Sequence, residues 1–302
     1  MLWTEKYRPS KLTDVVGQPK FTTDAMSWVK SGNMPNVMLG GVAGVGKTAS
    51  AIALANDMLG DEVDNNFFEI NASDDRKLET VRTRIKEIAS TSKIGNVPFK
   101  IILLDEMDGM TKDAQNALKR IMERYADNCR FIITANDTWK IIAPLMSRCA
   151  LYNFNKINDE TMKIVLTTIL ENEQKVVPEE EMDMFICYLQ GDLRRGVTEL
   201  QASVASGRSL VNLIDDNLEP YTRILQFIAE NKHTNALQGV HNLIHTTTDM
   251  RTICRNLHDV IIKTEMASND KFKLLRIVGE AEWRSSNMTP KVLASWMVGQ
   301  MV

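Results

Sequence analysis

One stretch of the chain has residue types and spacing that suit phosphate binding. Residues 41–48 read Gly-Val-Ala-Gly-Val-Gly-Lys-Thr, which fits the pattern G-x-x-x-x-G-K-[ST]. Glycines let backbone N–H groups turn inward around an anion, Lys47 can bridge the β- and γ-phosphates, and the Thr48 hydroxyl can hold Mg²⁺. A glycine-rich turn that matches by chance is the alternative. The pattern therefore predicts a site for ATP and Mg²⁺.

A pair of acidic residues can supply the remaining chemistry. Residues 100–106 read Lys-Ile-Ile-Leu-Leu-Asp-Glu, which predicts a buried parallel strand ending in two carboxylates. Asp105 would hold Mg²⁺ through water, and Glu106 would orient or deprotonate the attacking water. The signal is weak alone, but it follows the phosphate pattern by about 60 residues. Asn136, after another apolar run, could bind a γ-phosphate or the water, or simply cap a turn.

The elements that must position these residues alternate between strand and helix. Five apolar runs predict strands: 36–39, 65–70, 100–106, 130–135 and 150–154. Four further segments predict helices: 21–31, 48–59, 73–90 and 112–125. This alternation predicts an α/β fold whose parallel sheet gathers the loop and the acids at its carboxyl edge.

The two ends of the chain have a different character. Residues 1–20 contain Arg8-Pro9, which disfavours helix, so we expect an extended arm lying on the core. Helices are predicted at 158–173, 178–190 and 192–206 and, as a bundle after a joint at 207–220, at 221–302. The histidines of the bundle lack a third ligand nearby, so we expect them to be structural.

The helix predicted at 73–90 carries a local excess of positive charge. Residues 76–93 contain six basic and two acidic residues, in a chain whose net charge is −3. Arg82 and Lys86 lie four apart on one face, with Lys93 close to the same line. A solvated helix face is the alternative to a nucleic-acid surface.

Composition narrows the class of protein. A hydrophobic content of 44% and a charged content of 25% are typical of soluble globular proteins. We see no apolar stretch of about 20 residues that could span a membrane. The four cysteines are scattered without a C-x-x-C pair, which argues against zinc and disulfides and fits a reducing, intracellular compartment.

Six motifs occur in an order that is typical of one family. They are the segment at 3–9 (Trp-Thr-Glu-Lys-Tyr-Arg-Pro), the phosphate loop, the segment at 69–74 (Glu-Ile-Asn-Ala-Ser-Asp), the acidic pair, Ser-Arg-Cys at 147–149 and Gly-Asp-Leu-Arg-Arg at 191–195. With these motifs and the tail at 277–284, the chain resembles the small subunit of replication factor C, the sliding-clamp loader of eukaryotes and archaea. The T4-type phage loader is a second match of the same kind.

The resemblance implies an α/β AAA+ P-loop ATPase domain with a five-stranded parallel sheet at 1–154. An α-helical lid at 155–213 and an α-helical collar at 214–302 would follow, and the collar would assemble a ring of five subunits. The loop departs from the family's usual Gly-Pro-Pro-Gly-Thr-Gly-Lys-Thr, since Val42 and Ala43 replace the prolines and Val45 the threonine. These positions contribute backbone, so we expect ATP binding to persist. The collar is also slightly short.

The resemblance also implies roles for single residues. Arg148 would be the finger that enters the neighbouring subunit's site, Asn136 would be sensor 1, and Arg194 would be sensor 2, reaching the nucleotide from the lid. The catalytic set would be Lys47, Glu106, Asn136 and Arg148, with Thr48 and Asp105 at the metal. The ATP-binding set would be Arg8, Val15, Val16, Gly41, Val42, Ala43, Gly44, Val45, Gly46, Lys47, Thr48, Ala49, Asn136 and Arg194.

Such a subunit implies several partners: a sliding clamp, primer–template DNA, other loader subunits with a distinct large subunit among them and, indirectly, DNA polymerase. The residues expected on DNA phosphates are Arg82, Lys86, Lys93 and Lys112. Residues 94–99 would either touch the clamp or simply lead into the third strand. The protein would act in the cytoplasm of a prokaryotic or phage-infected cell, or in a eukaryotic nucleus.

Two other functions stay open at this point. One is a different AAA+ motor, such as a branch-migration helicase or a replication initiator. An initiator would normally add a helix-turn-helix domain, and residues 221–302 contain no clear one. The other is a subunit that binds nucleotide without hydrolysing it, which the intact Lys47, Glu106 and Arg148 argue against.

Overall fold

The computed structural model describes residues 1–72, 78–246 and 250–301, without the side chains of residues 78–82, 215, 216 and 246. The chain forms two compact units, Met1–Gly207 and Arg208–Val302. The first contains the sheet and the phosphate loop, and the described part of the second is helical. The helix start predicted at Ser73 lies outside the described residues.

A five-stranded parallel sheet forms the centre of the first unit, which confirms the predicted fold class. Its strands are β1 (Val37–Gly40), β2 (Phe67–Asn71), β3 (Lys100–Asp105), β4 (Cys129–Ala135) and β5 (Ala150–Asn153). Their order across the sheet is β2-β3-β4-β1-β5. The segment that follows β1 therefore lies beside the ends of β4 and β5.

The three central strands, β1, β3 and β4, are buried on both faces, as expected of nearly continuous apolar runs. Successive side chains of a strand point to opposite faces. Leu39 and Leu103 accordingly pack on one side of the sheet, whereas Met38 and Leu104 pack on the other. Burying each such side chain contributes about 1.5–3 kcal/mol, so the two layers fix the sheet in place.

Helices cover both faces of this sheet. They are α2 (Pro19–Ser31), α3 (Lys47–Leu59), α4 (Val63–Asn66), α5 (Leu78–Ser90), α6 (Lys112–Arg124) and α7 (Ala143–Met146), and they follow a short N-terminal helix, α1 (Trp3–Lys6). The extended arm expected at 1–20 is only partly correct, because α1 and a 3₁₀ turn at Leu12–Asp14 interrupt it. Trp3 and Leu12 are buried, and burial of these two side chains favours the local helical turns that place them.

Three helices complete the first unit, as the sequence predicts. They are α8 (Asp159–Asn172), α9 (Glu179–Leu189) and α10 (Leu193–Ser206). Asn158 caps α8 and Asp192 caps α10, since each side chain accepts a backbone N–H from the first turn, at 2.8 and 3.0 Å. Gly207 ends α10 in the left-handed region, with φ of 67°.

The N-terminal arm bridges these helices and the sheet domain. Lys6 Nζ and Tyr7 Oη both donate to Glu173 Oε1, at 2.6 and 2.7 Å, next to the end of α8. The Trp3 N–H donates to Gln201 Oε1 of α10 at 2.9 Å. On the other side, the Leu12 N–H donates to Asp57 Oδ2 of α3 at 2.8 Å. The arm therefore links α8 and α10 to α3, the helix that follows the phosphate loop.

The second unit consists of helices in its described residues. They are α11 (Leu210–Ala229), α12 (His233–Thr246), α13 (Met250–Lys263), α14 (Ser268–Arg284) and α15 (Pro290–Met301). The joint expected at 207–220 is wrong beyond residue 209, because α11 runs through Pro220. A proline inside a helix costs about 3 kcal/mol, but the buried Tyr221 and Ile224 that follow it hold the helix against the core. Among the described residues, no helix combines the length and the apolarity that a membrane span requires.

Candidate nucleotide-binding site

The carboxyl ends of three strands gather the predicted chemistry at one edge of the sheet. β1 ends at Gly40, which lies opposite Ala135 at the end of β4, and β3 ends at Asp105 beside them. Ligands of parallel sheets bind at this edge. Helix α3 begins at Lys47, directly after the glycine loop, so its free N–H groups favour an anion there.

Lys47 is a buried cation with uncharged hydrogen-bond acceptors. Its side chain is only 8% exposed, and Nζ donates to Gly41 O at 2.6 Å, to Val42 O at 2.8 Å and to Asn136 Oδ1 at 2.9 Å. Burial lowers the pKa of Lys47 below its ordinary value, and the nearby Asp105 carboxylate partly offsets this effect. An anion entering the loop would stabilise the ammonium, so the site suits a phosphate.

Thr48 and Asp105 meet at the base of the site. The Thr48 hydroxyl donates to Asp105, with distances of 3.0 Å to Oδ1 and 3.2 Å to Oδ2. The Thr134 hydroxyl of β4 donates to the same Oδ1 from the other side. One hydroxyl and one carboxylate are the oxygen donors that Mg²⁺ prefers when it keeps several waters and binds phosphates.

Glu106 follows Asp105 in an unusual backbone conformation. Its φ and ψ are 54° and 44°, in the left-handed region that non-glycine residues rarely adopt. The Glu106 N–H donates to Thr134 Oγ1 at 3.1 Å, and the Glu106 carbonyl accepts the Gly109 N–H at 3.0 Å. This turn exposes Glu106 instead of continuing the buried strand.

Asn136 lies beside the lysine of the loop. Its side-chain oxygen accepts from Lys47 Nζ, and its backbone N–H donates to Asp108 Oδ1 at 3.0 Å. The Asp137 N–H donates to the other oxygen of the same carboxylate, at 3.4 Å. Asp108 thus fixes the turn after β4 and keeps the Asn136 amide near the phosphate loop.

Two segments lie close to the backbone of the phosphate loop: the start of α10 and the chain after β5. Gly44 has φ of 80°, and a Cβ placed there would lie 1.9 Å from Asp192 Oδ1. Gly41 has φ of 152°, and a Cβ there would lie 2.4 Å from Phe154 O. Both glycines are needed because the start of α10 and the chain after β5 pack directly on the loop backbone.

Four other predicted ATP-binding residues lie outside the loop. Arg194 is exposed near the start of α10 and is close enough to lower the pKa of Lys47 further. Val15 and Val16 are half-buried, and Val15 packs against the core that contains the buried Val45 of the loop. Arg8 is exposed and pairs with Glu5 at 2.6 Å, so its approach to a nucleotide stays a prediction.

Arg148 lies at the opposite edge of the sheet. It comes two residues before Ala150, which pairs with Val37 at the start of β1, and the Ala150 N–H donates to Asn36 O at 2.8 Å. The phosphate loop follows Gly40 at the other end of β1, about 10 Å further along at 3.3 Å per residue. The structure therefore does not bring Arg148 to the loop of its own chain.

The Arg148 guanidinium is held in place at that edge. Nε donates to Glu123 Oε1 at 3.0 Å, Nη2 contacts the same oxygen, and Nη1 donates to Pro144 O at 2.6 Å. A cleft of about 810 Å³ opens beside Arg148, and its lining includes Trp28, Asn36 and Arg130. The side chain remains one third exposed.

The predicted DNA-contacting lysines are exposed where they are described. Lys86 and Lys112 lie on α5 and α6, and a cleft of about 370 Å³ is lined by Lys86, Arg120 and Arg124 together with Asp113. Lys93 is exposed but its Nζ donates to Pro98 O at 2.8 Å. The Arg82 side chain lies outside the described residues.

Sequence reasoning missed five residues that support the site. They are Asp108, Glu123, Thr134, Asp192 and, through its contact with Gly41, Phe154. Asp192 carried a usable signal, because Gly-Asp-Leu at a helix start is typical of an N-cap. Thr134 carried none, since a threonine within an apolar strand has no distinctive spacing.

A parallel sheet with this strand order, a glycine loop leading into a helix and acids at the end of β3 together define an AAA+ P-loop ATPase. The family described as "ATPase family associated with various cellular activities (AAA)" matches residues 37–156. The fold is similar to that of Thermotoga maritima RuvB, a Holliday junction branch migration motor, with a TM-score of 0.59 and 15% identity, over 75% of this chain and 80% of that one.

Similarity to curated relatives identifies the family within this class. The replication factor C small subunit of Methanoregula boonei is 38% identical over 94% of this chain and 91% of its own length. That of Methanococcus maripaludis strain C6 is 35% identical over 93% and 92%. That of Methanocella arvoryzae is 46% identical over 69% of this chain, a match that spans 65% of the relative. The chain belongs to the replication factor C small subunit family, which confirms the resemblance.

Proposed function

We propose that this chain is an ATPase subunit of a sliding-clamp loader, which uses ATP binding and hydrolysis to open a ring clamp and load it onto primer–template DNA. The observation that carries the proposal is the separation of the phosphate loop and Arg148 to opposite edges of one sheet. In a subunit built in this way, Arg148 cannot reach the nucleotide site of its own chain and has no nucleotide beside it. The arginine would meet a nucleotide when one subunit packs against the next.

The nucleotide site would be formed by the loop, with Lys47 on the β- and γ-phosphates and Asn136 beside them. Thr48 and Asp105 would hold Mg²⁺, which neutralises charge on the phosphates when it is bound. Glu106 would orient the attacking water and accept its proton. Arg194 would reach the nucleotide from the lid. The proposal is supported by the short distances among Lys47, Asn136, Thr48 and Asp105.

Arg148 would stabilise the charge that develops on the neighbouring subunit's γ-phosphate. An arginine finger supplied in trans is worth roughly 10³–10⁵ in rate. Glu123 accepts from Nε and Nη2, and Nη1 donates to Pro144 O and to Ser147 Oγ, which leaves the second hydrogen of Nη2 for an incoming phosphate. The Arg148 and Glu123 side chains are one third and one half exposed, and such surface pairs contribute only about 0–1 kcal/mol, so phosphate can compete.

We propose three domains: the ATPase at 1–154, a lid that follows it and a collar that assembles five subunits with a distinct large subunit. ATP would close the subunit interfaces and hold an open clamp. DNA would then align Arg148 with the next γ-phosphate, and hydrolysis would release the clamp for DNA polymerase. Lys86 and Lys112 would contact DNA phosphates, which are read without regard to sequence. A role on DNA requires an intracellular location.

The experiment is a mixing assay in the assembled loader. Arg148→Ala subunits keep a complete nucleotide pocket, and Glu106→Gln subunits keep their arginine, so neither should hydrolyse ATP alone. Mixed assemblies should regain part of the clamp- and DNA-stimulated rate, because some interfaces pair an intact Glu106 with an intact Arg148. Undiminished hydrolysis by Arg148→Ala would overturn the role of the arginine. An ATPase rate that branched DNA stimulates and the clamp does not would favour a branch-migration motor instead.

A further inference from the structure

A single hydroxyl connects the two acidic residues of the site. Thr134 is only 1% exposed, on β4 next to the end of β3. Its Oγ1 donates to Asp105 Oδ1 and accepts the Glu106 N–H at 3.1 Å. A threonine hydroxyl has one hydrogen to donate, and here that hydrogen goes to the carboxylate proposed to bind the metal.

Both bonds hold acidic residues of the proposed site. Asp105 is the last residue of β3, and its carboxylate is bonded by the hydroxyls of Thr48 and Thr134. Glu106 adopts the left-handed conformation, which is strained for a residue with a Cβ. Such strain persists only when surrounding groups hold it. Thr134 bonds to Asp105 and to Glu106 at once.

Thr134 is a polar residue between two apolar residues of β4. Ile133 and Ala135 on either side of it are fully buried and apolar, as a central strand of a parallel sheet requires. Valine has nearly the shape of threonine and would serve the sheet equally well. The polar atom is therefore explained by the acids it binds and not by packing.

We propose that Thr134 is a positioning residue for ATP hydrolysis. Its hydroxyl sets the Asp105 carboxylate toward the metal and the Glu106 backbone toward the attacking water. One side chain thus fixes a metal ligand and a catalytic carboxylate in a common geometry. The inference rests on the proposed roles of Asp105 and Glu106 and adds the group that orients both.

The test compares Thr134→Val, which removes the hydroxyl, with Thr134→Ser, which keeps it. Removal of a group that orients metal ligands typically costs roughly 10–100-fold in metal affinity or activity. Thr134→Val should therefore bind a fluorescent ATP analogue normally in EDTA. It should lose about tenfold or more of the affinity gained on adding Mg²⁺, and kcat at saturating Mg²⁺ and ATP should fall. Thr134→Ser should restore both quantities.

Thr264→Val, which removes a half-buried hydroxyl from the second unit, controls for the loss of a hydroxyl as such. If Thr134→Val does not fold, Thr134→Ala provides the same comparison with less crowding. A wild-type Mg²⁺ response and kcat in Thr134→Val, or equal losses in Thr134→Ser, would overturn the proposal. Glu106→Gln is measured alongside: an unchanged kcat there would count against the proposed function, while the Mg²⁺ response still decides the role of Thr134.

Discussion

Asp192 Oδ1 lies against the backbone of Gly44, so that the cap of α10 and the phosphate loop are in direct contact. We predict that Gly44→Ala weakens ATP binding strongly, because the new Cβ would lie 1.9 Å from that oxygen and would also occupy φ of 80°. Titration with a fluorescent nucleotide measures the loss. In an Asp192→Ser background, which keeps a capping oxygen but removes the carboxylate, the same substitution should cost less.

Gly32→Ala separates backbone strain from collision in this test. Gly32 has φ of 65°, and a Cβ added there would meet no atom within 4 Å. Its substitution should therefore lower stability slightly and leave nucleotide affinity unchanged. If Gly44→Ala behaves as Gly32→Ala does, the contact with Asp192 has no bearing on the nucleotide site.

Lys47→Met should abolish the stabilisation of the protein by ATP. Burial lowers the pKa of Lys47, so its charge opposes folding at pH below the lowered value, and the variant removes that penalty together with the three bonds that Nζ donates. The penalty fades as pH rises toward the ordinary value of 10.5. The stability of the nucleotide-free variant relative to wild type should therefore fall as pH rises, as thermal scans at several pH values would measure.

Lys100→Met is the matched variant, because Lys100 is also buried and burial also lowers its pKa. Its Nζ donates to Ile88 O at 3.1 Å and to Thr91 O at 2.9 Å, which closes the end of α5. Leaving these acceptors unpaired costs about 1–3 kcal/mol, so the midpoint should fall. Lys100→Met should keep the stabilisation by ATP, and a stabilisation by ATP that persists in Lys47→Met would contradict the assignment of that lysine to the ligand.

Alkylation should modify Cys187 first among the four cysteines. Cys187 is exposed, whereas burial raises the pKa of Cys129 to about 11 and that of Cys149 to about 12. Thiolates, not thiols, react, so iodoacetamide at pH 8 should add one group, located by peptide mass spectrometry. Cys187→Ser should remain unlabelled over the same period. Rapid labelling of Cys149 would show that the segment around Arg148 opens.

Lys86→Ala and Lys112→Ala should each weaken binding to primed DNA in the assembled loader without changing ATP affinity. Each phosphate contact contributes about 0.9 to the magnitude of the slope of log affinity against log salt. Each variant loses one contact, so the magnitude of its slope should be smaller by about 0.9. Fluorescence anisotropy at several salt concentrations measures it. Lys30→Ala, at an exposed lysine of α2, is the control, and an equal change there would remove the case for a specific surface.

The sheet and the helices α8, α9 and α10 were predictable because each element follows one local rule. The strands are apolar runs that end at, or just before, glycine or a polar residue, and α8, α9 and α10 begin and end within one residue of their predicted bounds. The N-terminal arm was not, because α1 depends on burying Trp3 and on its bond to Gln201, 198 residues away. The joint predicted up to Pro220 failed for the same reason. Packing in the core of the second unit stabilises a helix that the proline alone disfavours.

The site was predictable where residue type and spacing define chemistry. Lys47, Thr48, Asp105 and Asn136 were identified from their motifs and do lie together. Supporting residues such as Thr134 and Asp108 were missed because their partners come from other strands and turns. Only the register of the sheet, which the sequence does not display, brings them within bonding distance.

A molecule with the loop on one edge of its sheet and Arg148 on the other has two unlike sides. Copies joined through such sides follow one another head to tail, and the series has no built-in end. In an open arc of these subunits, the nucleotide site at one end has no neighbouring Arg148. That site stays incomplete until a chain of another kind, or the first subunit of the arc, packs against it.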